Sequence, residues 1–277
     1  MTNRTAIVTG GLRGLGRGMA LGLARIGVRV LAVGHIDSDV PGMTGIENVT
    51  PFVADIRKPE GCDRVIAAAQ AAFGRIDILV NNAGLTFTTI APDRFRRTER
   101  QKFWEVSDEV TQAVMDTNYV AGDQLARRVA PLMVAQGWGR IVNVTTKLST
   151  MNMLGALPYG SSKAAMEMAS EVWAKELAGT GVTVNIVNPG AGANTPGMAP
   201  EMRERSAAGT APRLVEPDEM VPPLLFVVSE EANAVNGYRF DANNWDTSVA
   251  PAVAARKGGI PAGFVLHPQD QDSFPLG

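Results

Sequence analysis

Thr9-Gly10-Gly11-Leu12-Arg13-Gly14-Leu15-Gly16 follows directly on a short apolar run, residues 5–8, and opens a helical stretch that reaches about residue 26. Gly10, Gly14 and Gly16 permit a tight turn and a close approach to the backbone. The helix start adds free N–H groups and the positive end of a dipole, a combination that suits a pyrophosphate. The candidate phosphate-binding residues are therefore Gly10, Arg13, Gly14, Leu15 and Gly16. A glycine cluster alone is common in loops, and a plain turn without ligand is the competing reading. The position between a strand and a helix is what favours the ligand.

Outward from this turn the chain alternates apolar runs with helix-length segments. Residues 28–33, 49–53, 78–80, 141–144 and 182–187 are strand-like, and 65–73 is an alanine-rich helix. A longer helix opens near Ser107, where Ser-Asp-Glu supplies a cap and first-turn acids, with Val110, Val114, Leu125, Val129 and Leu132 on one stripe. Another runs from about Tyr159 to Ala178, with Ala165, Met168, Ala169, Val172 and Trp173 on one side, and ends at Gly179 and Gly181. Strands apolar throughout, separated by helices, predict an α/β fold: a Rossmann-type doubly wound parallel sheet in a single domain. The expected organisation is a dinucleotide-binding catalytic domain over 1–250, with a substrate lid at about 192–215. Residues 251–277 have weak periodicity and read as a tail packed on the domain or on a partner subunit.

Composition narrows the function classes. The 277 residues are 45% hydrophobic and 19% charged, with a net charge of −2, so nothing suggests a nucleic-acid binder. The 29 glycines and 17 prolines are scattered as turn punctuation. The lone cysteine, Cys62, reads as a small buried hydrophobe in a reducing compartment. His35 and His267 belong to no cluster with metal-ligand spacing, so no metal is expected. The start of the chain carries no signal-peptide pattern, and no apolar stretch is long enough to cross a bilayer, which together predict a cytoplasmic protein without membrane contact.

Tyr159 and Lys163 lie four residues apart in Tyr-Gly-Ser-Ser-Lys, on one face of a helix. A free phenol, with a pKa of about 10, is a poor base near neutrality. A neighbouring ammonium can bring such a value down by roughly one to three. A tyrosine tuned in this way can move a proton while a hydride moves to or from a nicotinamide.

Taken in order, Thr9-Gly10 with Gly14 and Gly16, Asp55-Ile56, Asn81-Asn82-Ala83-Gly84, Asn118, the Tyr159/Lys163 pair and Asn188-Pro189-Gly190 resemble the short-chain dehydrogenase/reductase family in its compact branch, across nearly the whole chain. Residues 85–266 look like the gluconate-dehydrogenase-like end of that family. The resemblance implies an NAD(P)-dependent oxidoreductase that interconverts a secondary alcohol and a ketone. It implies that Asp55 holds the adenine amino group beside the Ile56 backbone, and that Asn82, Ala83 and Gly84 wall the ribose. Asn118 would hold a relay water reaching Lys163, which also binds the nicotinamide ribose. Pro189 and Gly190 would lie along the nicotinamide, and Thr195 would bond its carboxamide. The family's usual serine, thirteen residues before the tyrosine, is replaced by Thr146, which keeps the hydroxyl but stiffens χ1. Ser149 is the alternative hydroxyl.

At the end of the second strand the acid that would hold the ribose of NAD is missing. Gly34 and His35 stand there, and Arg13 sits in the phosphate turn, which favours NADP; Asp37 and Asp39 leave NAD open. Arginines in the stretch 92–100 read either as a clamp for a substrate carboxylate or phosphate, or as a solvated charge run. Met151, Met153, Leu154, Met198 and Met202 offer apolar pocket walls or ordinary packing. The family implies a homo-oligomer, a tetramer or dimer. Two alternatives to an alcohol/ketone oxidoreductase are kept: a non-catalytic dinucleotide-binding regulator, motivated by Thr146, and a nucleotide-sugar epimerase, opposed by the tight Gly14-x-Gly16 spacing.

Overall fold

The computed structural model describes residues 3–264. Strands β1 (Thr5–Thr9), β2 (Arg29–Gly34), β3 (Val49–Val53), β4 (Ile78–Asn81), β5 (Gly139–Asn143), β6 (Val182–Asn188), β7 (Tyr238–Asp241) and β8 (Ile260–Pro261) form one sheet in the order β3-β2-β1-β4-β5-β6-β7-β8. All pairings are parallel except β7 with β8. The chain reverses direction of travel across the sheet between β1 and β4, and a doubly wound sheet binds its ligand in the crevice outside such a switch point.

Every residue of β1, β4, β5 and β6 is buried, because helices cover both faces. Alternate side chains serve the two layers. Ala6 and Val8 point into a core with Met19, Leu23, Leu224 and Phe226, whereas Ile7 joins Val65, Leu79, Leu125, Val129 and Val184. The first layer is built by α1 (Gly14–Arg25) and later by α9 (Val221–Val227) and α10 (Pro251–Gly258). The second is built by α2 (Pro59–Phe73), α5 (Ala121–Ala135) and α7 (Tyr159–Glu176). Short helices α3 (Phe87–Ile90), α4 (Asp108–Met115), α6 (Leu148–Met151) and α8 (Pro200–Ala207) stand at the ligand-binding end. Cys62 is buried, and its thiol donates to the Ile56 carbonyl.

Three local expectations change. Helix α2 starts at Pro59, ahead of its alanine-rich part, with proline suiting the first helical turn. The long helix opening at Ser107 is not continuous: Asp116–Val120 is a π-helical turn between α4 and α5, with Asn118 buried inside it. Val114, Leu125 and Val129 are buried as expected, while Val110 and Leu132 are only partly so. The third change concerns α7. Its apolar stripe faces outward, with Met168 and Val172 exposed, and the helix buries Ser162, Lys163, Met166, Glu167 and Ser170 instead.

Beyond residue 250 the chain adds α10, with Ala254 and Ala255 buried, and the edge strand β8. Residues 265–277 of the expected tail, and His267 with them, lie outside the described residues. None of the described helices is long and apolar enough to cross a membrane.

Candidate active site

The phosphate turn is shaped by exclusion of side chains. A Cβ on Gly16 would sit 2.1 Å from the Gly10 carbonyl oxygen, and one on Gly10 would meet the Asn82 amide at 2.8 Å. Gly10 also has φ of +63°, a conformation that favours glycine. Asn82 locks the turn to β4: its Nδ2 donates to the Thr9 carbonyl at 2.8 Å, while the Thr9 hydroxyl accepts from the Asn82 and Ala83 backbone amides at 3.0 Å. No side chain caps α1, and its first turn carries no acid, so the leading N–H groups keep their capacity for an anion. Leu15 packs into the core. Thr195 lies against Gly14, over this turn.

Beside the turn a pocket is lined by Gly10, Gly34, His35, Asp55, Ile56 and Ala83, among others. Asp55 is already engaged. Arg57 donates to it through Nε at 2.8 Å, Nη2 at 2.7 Å and its backbone amide at 3.1 Å. That side-chain bond holds the Asp55 carboxyl down to about 2 against the opposing effect of burial. Arg13 stands at the edge of the same end, with Nε 3.6 Å from Asp39. These residues fit a dinucleotide: a backbone cradle that excludes Cβ atoms, an uncapped helix start, and a pocket lined by Gly34 and an ionised carboxylate.

The second half of the site lies farther along the same strand ends. Asn118, buried in the π turn, accepts from the Leu85 amide at 2.7 Å and donates to the Leu85 carbonyl at 3.0 Å and to the Ser162 hydroxyl at 3.0 Å. Ser162 in turn donates to the Tyr159 carbonyl at 2.7 Å. Lys163 is buried and donates to the Val144 carbonyl at 2.8 Å. A Cβ on Gly84 would lie 3.4 Å from Asn118 Oδ1 and 3.5 Å from Lys163 Nζ, so the three residues converge. Lys163 Nζ is 6.0 Å from the centre of the Tyr159 ring. Desolvation pulls Lys163 down to about 8. Tyr159 moves the other way: burial raises its phenol above the ordinary value, with the Thr146 hydroxyl acting in the opposite direction.

Thr146 is buried next to this phenol, whereas Ser149 is exposed on α6. The Thr146 carbonyl accepts from Arg239 Nη2 at 2.8 Å, and Arg239 forms a fully buried ion pair with Glu167 of α7 at 2.9 Å. Glu167 also accepts from the Thr145 hydroxyl at 2.8 Å. Pro189 and Gly190 are buried at the end of β6, with the Gly190 amide bonded to Asn188 Oδ1. The Thr86 and Thr88 hydroxyls both donate to the Gly197 carbonyl at 2.8 Å, tying the segment before α8 to the loop after β4.

Sequence reading missed Ser162, Phe87 and the Glu167–Arg239 pair, and it did not single out Arg94 among the arginines of 92–100. Ser162 stood inside the Tyr-Gly-Ser-Ser-Lys stretch at a spacing that shares its helix face. Phe87 packs on Tyr159 with ring centres 4.6 Å apart. The other two depend on contacts across the fold. Of the expected pocket walls, Met151 is buried, while Met153 and Leu154 are exposed.

A family model described as short chain dehydrogenase matches residues 4–206. The chain is 30% identical over 246 residues to the 3-oxoacyl-(acyl-carrier-protein) reductase FabG of Thermotoga maritima, covering 86% of this chain and 95% of that protein. It is 32% identical over 251 residues to the 2-dehydro-3-deoxy-D-gluconate 5-dehydrogenase of Escherichia coli, covering 86% and 93%. Among solved structures, a 3-ketoacyl-(acyl-carrier-protein) reductase from Brucella melitensis complexed with NADH superposes with a TM-score of 0.74 at 25% identity, covering 87% of this chain and 96% of that one. An actinorhodin polyketide ketoreductase with NADPH gives 0.71 at 26% identity, covering 84% and 93%.

Proposed function

The chain belongs to the short-chain dehydrogenase/reductase family, and from that premise we propose that it interconverts a secondary alcohol and a ketone on a small molecule, with Tyr159 as the acid/base. The observation that carries this reading is the convergence of Tyr159, Lys163, Asn118 and Thr146 at the strand ends, at the same end of the sheet as a cradle suited to a dinucleotide. The nicotinamide, when bound, supplies or takes the hydride. Every other step belongs to the chain. Thr146 and Tyr159 hydrogen-bond the substrate oxygen, and in reduction the phenol delivers its proton there. The raised Tyr159 value keeps that proton in place near neutrality. Lys163, an ammonium below about pH 8, stabilises the phenolate left behind. Asn118, clamped at both ends by Leu85, orients a water that returns the proton. Pro189, Gly190 and Thr195 shape the nicotinamide side, and Gly84 leaves room between Asn118 and Lys163. The non-catalytic alternative has no observation in its favour, since Thr146 sets its hydroxyl beside the phenol.

The proposed cofactor is NADP. Gly34 and His35 present no carboxylate to an adenosine 2′-hydroxyl, and Arg13, steered by Asp39, offers a guanidinium at that mouth. Fluorescence titration tests this directly. NADPH is expected to bind more tightly than NADH to the wild type and to lose roughly tenfold in Arg13→Ala, in line with about 1–2 kcal/mol for a charge-assisted bond. Tighter NADH binding, or no loss in the variant, overturns the NADP assignment; failure to bind either overturns the enzyme reading. We further propose a cytoplasmic homo-oligomer, supported by the lone, buried Cys62 and by the exposed Met168 and Val172 of α7. Light scattering that returns a monomer contradicts the second part.

A further inference from the structure

The loop between β4 and α4 carries Arg94, Arg96, Arg97, Arg100 and Lys102, and the structure separates these cations into two kinds. Arg96 is paired with Glu201 of α8 and Arg97 with Asp93, both at the surface. Such pairs occupy charge and contribute little. Arg94 is different. It is only 6% exposed, and among the described residues it pairs with no carboxylate. Its Nη1 donates to the Gly155 carbonyl at 2.5 Å, and its Nη2 is buried with no hydrogen-bond partner. Arg100 lies against the same Gly155. Its positive charge is close enough to act on Arg94.

A guanidinium cannot escape this by losing its proton. Burying it with one neutral carbonyl leaves a charge and at least one donor unbalanced, a state that persists only when something else satisfies it. The position indicates what. The Arg94 guanidinium stacks on Phe87 with its central carbon 4.1 Å from the ring centre, and Phe87 packs on Tyr159. Guanidinium, phenyl ring and reacting phenol thus form one contiguous row that ends at the reaction centre. Burial and the Arg100 charge both act to destabilise the lone cation, and an anion placed on it relieves both.

We infer that Arg94 is the substrate-recognition residue of this site and takes a carboxylate carried by the substrate, so that the enzyme acts on oxo- or hydroxy-acids in preference to neutral ketones and alcohols. This rests on the oxidoreductase reading above. A planar carboxylate matches the fork of the guanidinium, and Phe87 fixes the plane in which that fork lies.

The test uses a series of straight-chain oxo-acids with the ketone at successive positions from the carboxylate, each beside its methyl ester. Turnover is measured for wild type and Arg94→Met, which keeps the packing on Phe87. The best acid is expected to exceed its ester in kcat/KM by at least about 30-fold in the wild type, and Arg94→Met is expected to abolish that preference through KM while leaving the ester within about threefold. Equal use of acid and ester by the wild type, or an equal loss on both in the variant, overturns the inference and leaves the oxidoreductase reading standing. Preference for a keto-phosphate monoester over the acid overturns the carboxylate assignment. Thermal shift with the same acids needs no turnover. Stabilisation that vanishes in Arg94→Met upholds the site even where no acid is reduced, and that pattern would count against the catalytic reading alone.

Discussion

Helices α1 and α7 pack against opposite faces of one mostly parallel sheet, and they bury opposite chemistries. Helix α1 turns Met19, Ala20, Leu23 and Ala24 into the core and contributes to the site through its backbone start. Helix α7 turns Ser162, Lys163, Glu167 and Ser170 inward and leaves Met168 and Val172 exposed. A polar buried face is expensive unless each group is satisfied. Here Ser162 bonds Asn118, Lys163 bonds Val144, Glu167 bonds Thr145, and Ser170 accepts from Asn143 at 2.8 Å. The first helix therefore serves binding by what it omits, the second serves chemistry by what it holds, and the two should fail differently when altered.

The largest expected failure is at the phenol. Tyr159→Phe should lower kcat by about 10²–10⁴-fold with cofactor affinity nearly unchanged, as befits loss of a general acid/base alone. A variant that loses cofactor binding instead would place Tyr159 in the binding half. Gly16→Ala should do the reverse. Its methyl group meets the Gly10 carbonyl at 2.1 Å, so the turn must open, at roughly 1–3 kcal/mol of stability and with loss of dinucleotide affinity by titration. Thr146→Val should cost roughly 10–100-fold in kcat, and Thr146→Ser should restore most of it; equal activity of all three forms would remove the hydroxyl from the mechanism.

A smaller effect is written in the pH dependence. Lys163 sits at about 8, so it loses its charge as pH rises through that value. Reductive kcat/KM is expected to be level below pH 8 and to fall above it. A profile that rises there would contradict the role of the ammonium.

The difference between the helices also explains what the sequence made legible. The phosphate turn, the buried strands and the Tyr159/Lys163 spacing are local patterns, each contained in a few consecutive residues, and the sheet and its switch point followed from them. The inward face of α7 is not legible in the sequence, because its apolar residues form a stripe that ends up outside, while the polar stripe has partners on β5, in the π turn and on β7 that no local period reveals. The π turn itself leaves no mark in composition. The sequence leaves the arginines of 92–100 open between a substrate clamp and a solvated charge run, and only the fold shows Gly155 and Phe87 closing around Arg94. Edge strand β8 is two residues long, too short to carry a period.

The most direct test of the account is Lys163→Met, with stability and turnover measured side by side. Burial depresses the lysine from 10.5 to about 8, so the unfolded chain binds the extra proton between those values and the folded protein carries a penalty below pH 8. Removing the amine is predicted to raise stability at pH 7 by roughly 1–3 kcal/mol after loss of its bond to Val144, to lose that gain near pH 10.5, and to reduce turnover by about 10²-fold or more. A variant that is less stable at pH 7 and still turns over at the wild-type rate would contradict the claim that α7 holds its polar face for chemistry.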